Sequence, residues 1–232
     1  MKNYVSNEDK SARMFDSEFL ELFTHIHPAL PLIIFVPVVF YSLYVAQMYS
    51  GPVHRIMLFG AGLLFWTLTE YLLHREIFHL VPESIWGKRL HFIMHGVHHD
   101  YPNDSRRLVM APAISIPLSV LFFLVFRVVF GTKYCYPFFA GFISGYLCYD
   151  MMHYAIHHFP MRSKIGNYLR RHHLRHHYMD ADINYGVSSP VWDVVFKTLN
   201  DEEGEERVSD RIDLGMPNGN WGETLGEKGK LR

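Results

Sequence analysis

Four long uncharged runs punctuate the chain, and polar, histidine-rich stretches separate them into pairs. The first run, ALPLIIFVPVVFYSLYVAQMYS at 29–50, is long enough to cross a bilayer as a helix. Its prolines, Pro31 and Pro37, are better tolerated in a membrane helix than in a soluble one. The turn GPVH leads to IMLFGAGLLFWTLT at 56–69, which continues through Glu70 into YLLH. So short a connection predicts a helical hairpin. The third run is LVMAPAISIPLSVLFFLVF at 108–126. The link RVVFGTK joins it to YCYPFFAGFISGYLCY at 134–149, which continues past Asp150 into MMHYAI.

This pattern predicts an all-α, polytopic membrane protein with four transmembrane helices in two hairpins, capped by a histidine-rich helical region. A soluble helical core is the competing reading, and four such runs in 232 residues argue against it. Three segments follow: a polar N-terminal segment at 1–28, a membrane domain at 29–198, and an acidic, Gly-rich tail at 199–232 that reads as a loosely ordered end. Within the first, DSEFLELF has the pattern of an amphipathic turn or two.

Charge placement adds an orientation. Arg75, Lys88, Arg89, Arg106 and Arg107 lie between the second and third runs, and Arg162, Lys164, Arg170, Arg171 and Arg175 follow the fourth. The short links carry only Arg55, Arg127 and Lys133. Basic residues mark the cytoplasmic side, so both histidine-rich segments and both termini are expected there. A formal net charge of -1 gives no argument for a nucleic-acid partner. Cys135 and Cys148 sit in an apolar run and read as buried thiols. No secretory signal peptide is visible.

Histidine changes the picture most, with 16 residues. They fall in HREIFH (His74, His79), HFIMHGVHH (His91, His95, His98, His99), HYAIHH (His153, His157, His158) and HHLRHH (His172, His173, His176, His177). His25, His27 and His54 lie elsewhere and read as ordinary polar residues. Residues three and four apart share a helix face, so His95 with His98, and His153 with His157, can point together. His173, His176 and His177 repeat the spacing of His95, His98 and His99. Neutral imidazole suits iron, zinc, copper and nickel. One ion takes about four to six ligands, so two ions are the economical expectation. Paired metals can hydrolyse esters or phosphates, but such sites usually mix in carboxylates. Nearly pure imidazole beside a membrane points instead to oxygen chemistry on a lipid.

The stretches EYLLHREIFH, HFIMHGVHHDYPNDSRRLVMAP, GYLCYDMMHYAIHH and HHLRHHYMDADINYGVSSPVWDVVFKT resemble the membrane fatty acid hydroxylases of the sterol desaturase and hydroxylase superfamily. HHDYPNDSRRLVMAP and NYGVSSPVWDVVFKT resemble the fatty acid 2-hydroxylases within it. The resemblance implies a non-haem monooxygenase with two iron ions (zinc can occupy such imidazole sites after purification). It would use O2 to hydroxylate carbon 2 of a fatty acyl lipid. The family's ligand pattern falls on His74, His79, His95, His98, His99, His153, His157, His173, His176 and His177. His158 and His172 each adjoin a matched position, so the ligand face there can fall on either neighbour. Eukaryotic members often carry a cytochrome b5-like haem domain, and too few residues precede the first run here to form one. The expected electron donor is therefore a separate protein, a cytochrome b5-like protein or a ferredoxin with its reductase. The expected location is a bacterial inner membrane.

Further positions are expected around the metals. Glu70 lies four residues before His74 and Asp150 three before His153, each in a membrane helix where an acid is costly. A carboxylate of this kind commonly accepts the second ring proton of a metal-bound histidine. Asn184 is a further candidate, and Asp100, Asp180 and Asp193 are weaker ones. Arg106, Arg107 and Arg171 are candidates for a substrate head group. Phe65, Trp66, Tyr149 and Tyr154 are candidates for the wall of an acyl groove. Sterol C4-methyl or C5 oxidation, carotenoid ring hydroxylation and ether-lipid oxidation share the histidine pattern, and a membrane metal transporter is the non-enzymatic alternative.

Overall fold

The computed structural model describes residues 4–200; the acidic tail expected from 199 lies almost wholly outside them. The described chain is all-α. α1 (Glu18–Leu22) precedes two long apolar helices, α2 (Leu30–Tyr49) and α3 (Pro52–Leu72). α3 passes directly into a π-helical turn, Leu73–Phe78. α4 (Ile85–His91), a second π-helical turn (Phe92–Gly96) and α5 (Val97–Asp100) follow. α6 (Pro112–His158), α7 (Lys164–Tyr178) and α8 (Val191–Phe196) complete the order.

Among the described residues three helices, not the expected four, are long and apolar enough to cross a membrane: Leu30–Tyr49, the α3 unit Pro52–Phe78, and Pro112–His158. The third and fourth apolar runs both lie in α6, whose 47 residues are two helices joined across a kink. A straight helix of that length would extend about 70 Å. α6 is not straight. Gly131 breaks it with φ 67° and ψ 173°, a conformation that L side chains rarely adopt. Rings twenty and twelve residues apart then meet: Phe122 and Phe142 lie 4.7 Å apart, and Phe126 and Phe138 4.9 Å. The two halves of α6 therefore pack back on each other, and the chain is an integral, multi-pass membrane protein.

α3 packs along the second half of α6 at close range. A Cβ added to Gly141 would lie 1.9 Å from the Phe59 carbonyl oxygen, so only glycine allows the approach. Trp66 fills the space beyond, against Phe142, Tyr146 and Tyr149. Phe65 packs on Phe126, Phe138 and Phe142. This aromatic contact fixes the relative height of the ends of α3 and α6, from which five of the histidines emerge or continue.

α7 lies outside the apolar spans. The Ser163 hydroxyl caps its start by accepting from the Gly166 amide at 3.0 Å. One face, with Leu169, His172, His173, His176 and His177, is buried.

The glycine contact sets a stability contrast. Gly141→Val should cost about 3 kcal/mol or more, because backbone must move to admit it. Gly60→Val, with open space around its Cβ, should be tolerated. Thermal unfolding of the two detergent-purified variants checks this, and equal melting would refute the close-approach account.

Candidate metal centre

Ten buried or half-buried histidines draw together into two groups at the ends of α3 and α6. His74, His79, His95, His99 and His176 form one; His98, His153, His157, His173 and His177 form the other. Within each group the ligand nitrogens lie within 4.8 Å of one another. The groups adjoin: the His99 and His177 rings stack at 4.3 Å.

Local backbone geometry makes this possible. His74 and His79 are five apart, which on an α-helix places them well off one face. The π-helical turn at Leu73–Phe78 closes with the His79 amide donating to the His74 carbonyl at 3.2 Å. A wider turn brings positions five apart to one side, and π-turns of this kind recur at functional sites. The second π-turn, Phe92–Gly96, carries His95. α6 supplies His153 and His157 one turn apart, and α7 supplies His173, His176 and His177.

Tautomers are partly fixed by backbone acceptors. His74 donates from Nδ1 to the Tyr185 carbonyl at 2.5 Å, and His176 from Nδ1 to the Ile183 carbonyl at 2.7 Å. Both therefore turn a bare Nε2 inward. There His74 Nε2 lies 3.1 Å from His95 Nε2, and His176 Nε2 lies 3.0 Å from His79 Nε2. In the second group both ring nitrogens of His153 and His157, and Nε2 of His98, are buried without a hydrogen-bond partner. Burial, followed by the neighbouring imidazoles, holds the His95, His98, His99, His173, His176 and His177 rings well below the usual histidine pKa. Burial pushes His79 down to about 4. Neutral rings with unpaired nitrogens converging on two points fit two metal ions, each with an imidazole donor set.

The adjoining histidines lie elsewhere. His172 points away from both groups, its Nε2 3.2 Å from the Asp193 carboxylate. His158 packs against Tyr154, with the ring centres 4.5 Å apart. His91 is outside both groups.

The expected carboxylates behave differently from expectation. Glu70 meets no histidine. Its Oε1 accepts from the Val187 and Ser188 amides at 2.7 and 2.8 Å, and the Ser188 hydroxyl binds its other oxygen. Asp150 likewise misses His153: it accepts from the Met110 amide and the Tyr146 hydroxyl, both at 3.1 Å. Asp193, a weaker candidate by sequence, is the hub. It accepts from the Tyr185 and Gly186 amides and the Thr198 hydroxyl, each at 2.8 Å, besides facing His172. Asn184 adopts φ 56° and pins the same loop, accepting from the Asn200 amide at 2.8 Å. These groups hold the 183–188 loop, whose carbonyls in turn orient His74 and His176.

A cavity of about 470 Å3 opens against the centre, with His95, His98 and His153 in its wall. Tyr149 and Asp150 line it, but Phe65, Trp66 and Tyr154 do not. Its other walls come from Phe78, Leu90, Met94 and Leu108, and from the N-terminal segment. DSEFLELF was the visible sign of that last contribution. Arg107 also borders the cavity, yet its guanidinium turns to the N-terminal segment, donating to Glu21 at 2.5 Å and to Thr24 at 3.2 Å. Arg106 is exposed and Arg171 half-buried.

Fold and centre together define a polytopic membrane protein built to hold two metals beside an apolar cavity. Comparison with known proteins narrows the class. The fatty acid hydroxylase family model matches residues 59–198. A dihydroceramide fatty acyl 2-hydroxylase of Arabidopsis thaliana is 36% identical over 189 residues, 81% of this chain and 79% of its own. A ceramide very long chain fatty acid hydroxylase of Saccharomyces cerevisiae is 37% identical, over 81% of this chain and 49% of its own. The solved structure of full-length scs7p, in which only the hydroxylase domain is visible, superposes with a TM-score of 0.76 at 36% identity, covering 79% of this chain and 70% of that one. The chain belongs to the fatty acid hydroxylase family, and within it to the fatty acid 2-hydroxylases.

The loop network yields a test. Glu70→Ala frees the Val187 and Ser188 amides and should weaken metal retention about 10-fold, with the protein still inserted. Glu70→Gln keeps an acceptor for both amides and should retain most metal. Metal analysis of the two purified variants decides, and full occupancy in Glu70→Ala would remove the loop from the account.

Proposed function

We propose that this protein is a di-iron, O2-dependent fatty acyl 2-hydroxylase. The observation that carries the reading is the pair of five-imidazole groups, three of whose rings (His95, His98 and His153) line an apolar cavity. The reaction replaces one C–H beside the acyl carbonyl with C–OH. It consumes O2, two electrons and two protons, and releases water. Iron, when bound, supplies the oxygen activation.

The residues of the chain do the rest. Their first task is to hold the metals: His74, His79, His95, His99 and His176 for one ion, and His98, His153, His157, His173 and His177 for the other. Their second is to place one methylene, which has no polar handle. An apolar cavity that confines the chain supplies that placement, because orientation of the reacting group is itself a large part of the rate. Asp150, in the cavity wall three residues before His153, holds the Met110 amide and so fixes the segment entering α6. Glu70 and Asn184 act on the centre through the 183–188 loop. Arg106 is the head-group contact we favour, since its side chain is exposed while Arg107 is tied to Glu21. The electrons come from a separate donor protein docking outside the bilayer.

The two halves of α6 cross the membrane separately in this reading, giving four crossings. The histidine groups and both termini then lie on the cytoplasmic side of a bacterial inner membrane. The basic residues between α3 and α6 and on α7 support that orientation.

Two outcomes are expected. Expression in a host lacking 2-hydroxy lipids should produce 2-hydroxy acyl lipids, and the purified, untagged protein should hold close to two metals per chain. Hydroxylation at another position or on a sterol, or metal uptake with no lipid product, would overturn the reading. For topology, single cysteines in a background lacking Cys135 and Cys148 should be labelled from outside intact cells within 131–133 but not at 88. Labelling at 88 would reverse the orientation.

A further inference from the structure

The acyl cavity has one wall that the matched family region, which begins at residue 59, does not contain. Met14, Phe15, Leu20, Phe23 and Ile26 form it. We propose that this N-terminal arm is a specificity-determining wall that selects the acyl chain by length. The proposal rests on the fatty acyl 2-hydroxylase reading and deepens it.

The arm is anchored, so it has a fixed shape against which a chain can be measured. The Val5 and Ser6 amides donate to the Asp100 carbonyl at 2.9 and 3.2 Å, and the Ser11 hydroxyl donates to Asp104 at 2.7 Å. Further along, Glu21 accepts from the Met14 and Phe15 amides at 3.0 and 2.9 Å and from Arg107 at 2.5 Å. The Ile26 amide donates to the Arg106 carbonyl at 2.7 Å. From the opposite side, the Arg89 guanidinium sits 5.5 Å over the Phe15 ring. Between these ties the arm offers the cavity only apolar side chains and the Thr24 hydroxyl. Such a surface fits hydrocarbon, not a head group.

The arm is also a partition. Leu20 and Phe23 line the cavity, yet 47% and 53% of their surfaces stay exposed, so they stand at its rim. Their neighbours Phe19 and Leu22 face outward, 70% and 69% exposed. An acyl chain with its second carbon at the histidines and its body in the cavity meets Leu20 and Phe23 at the rim, where Leu90, 58% exposed, stands with them. Apolar pockets discriminate by methylenes, each worth about 10-fold or more at best. Truncating the rim admits longer chains, and enlarging it excludes them.

The test uses the full chain in membranes of a host lacking 2-hydroxy lipids, fed saturated fatty acids of graded length. Leu20→Ala with Phe23→Ala should raise the ratio of long to short 2-hydroxy products by about 10-fold. Phe23→Trp should move it the other way, and Leu22→Ala should leave it unchanged. Thermal stabilisation of the purified variants by the same free fatty acids should follow the same order, a readout that needs no turnover. A parallel fall at all lengths, or an unchanged length profile in both measurements, would overturn the proposal. Absence of any 2-hydroxy product from the native chain would instead overturn the enzymatic reading, and the binding profile would still judge the arm.

Discussion

Convergent imidazoles impose the constraint on which the rest of the structure depends. Ten rings turn nitrogens toward two points, at separations where neutral lone pairs repel unless a cation lies between them. Such rings do not hold their aim by themselves. The π-turn at Leu73–Phe78 corrects the register of His74 and His79, and backbone carbonyls fix the rings of His74 and His176. Those carbonyls belong to one loop, so the loop must be as rigid as the centre it serves. Asp193, Glu70 and Asn184 make it so, taking five backbone amides among them.

The membrane helices meet a second demand, which is to carry ligands at a fixed height. α3 leads into His74 and α6 ends with His153 and His157, so any sliding of one helix on the other would pull the two groups apart. The Gly141 approach and the rings around Trp66 resist that sliding. The remaining ligands come from α5, α7 and the π-turns, outside the long apolar helices. The centre therefore spans the boundary between membrane helices and the peripheral cap, where a lipid's reactive carbon can reach it while its chain remains in apolar surroundings.

Much of this was legible in the sequence because it is periodic. Apolar runs reported the helices, and the HxxHH spacing favoured His173 over His172; the structure groups His173 with four other imidazoles and turns His172 to Asp193. What escaped was whatever depends on chain folding back. The break at Gly131 lies within the expected link RVVFGTK, but no local pattern gives the partner of a buried acid. Proximity along a helix suggested that Glu70 would serve His74; in three dimensions the nearer donors are amides more than a hundred residues away. Phe65 and Trp66 look like groove residues by composition, but they face α6. The cavity wall contributed by residues 14–26 comes from a segment whose short apolar pattern gives no distance to the histidines.

The two acids in membrane helices now share an explanation. Neither Glu70 nor Asp150 touches a histidine, yet each captures backbone amides from a segment outside its own helix: Val187 and Ser188 for one, Met110 for the other. Those amides lie in non-helical chain, where no helical carbonyl would satisfy them. A buried amide without a partner costs about 1–3 kcal/mol, and a carboxyl oxygen is among the stronger acceptors available. The acids thus fasten irregular chain to regular helix at the two places where irregular chain must be held: the loop that orients His74 and the segment that walls the cavity. An acid placed to serve one ring would fix that ring alone. Placed on backbone, it fixes a segment, and through it both the ligands and the space in which a substrate lies.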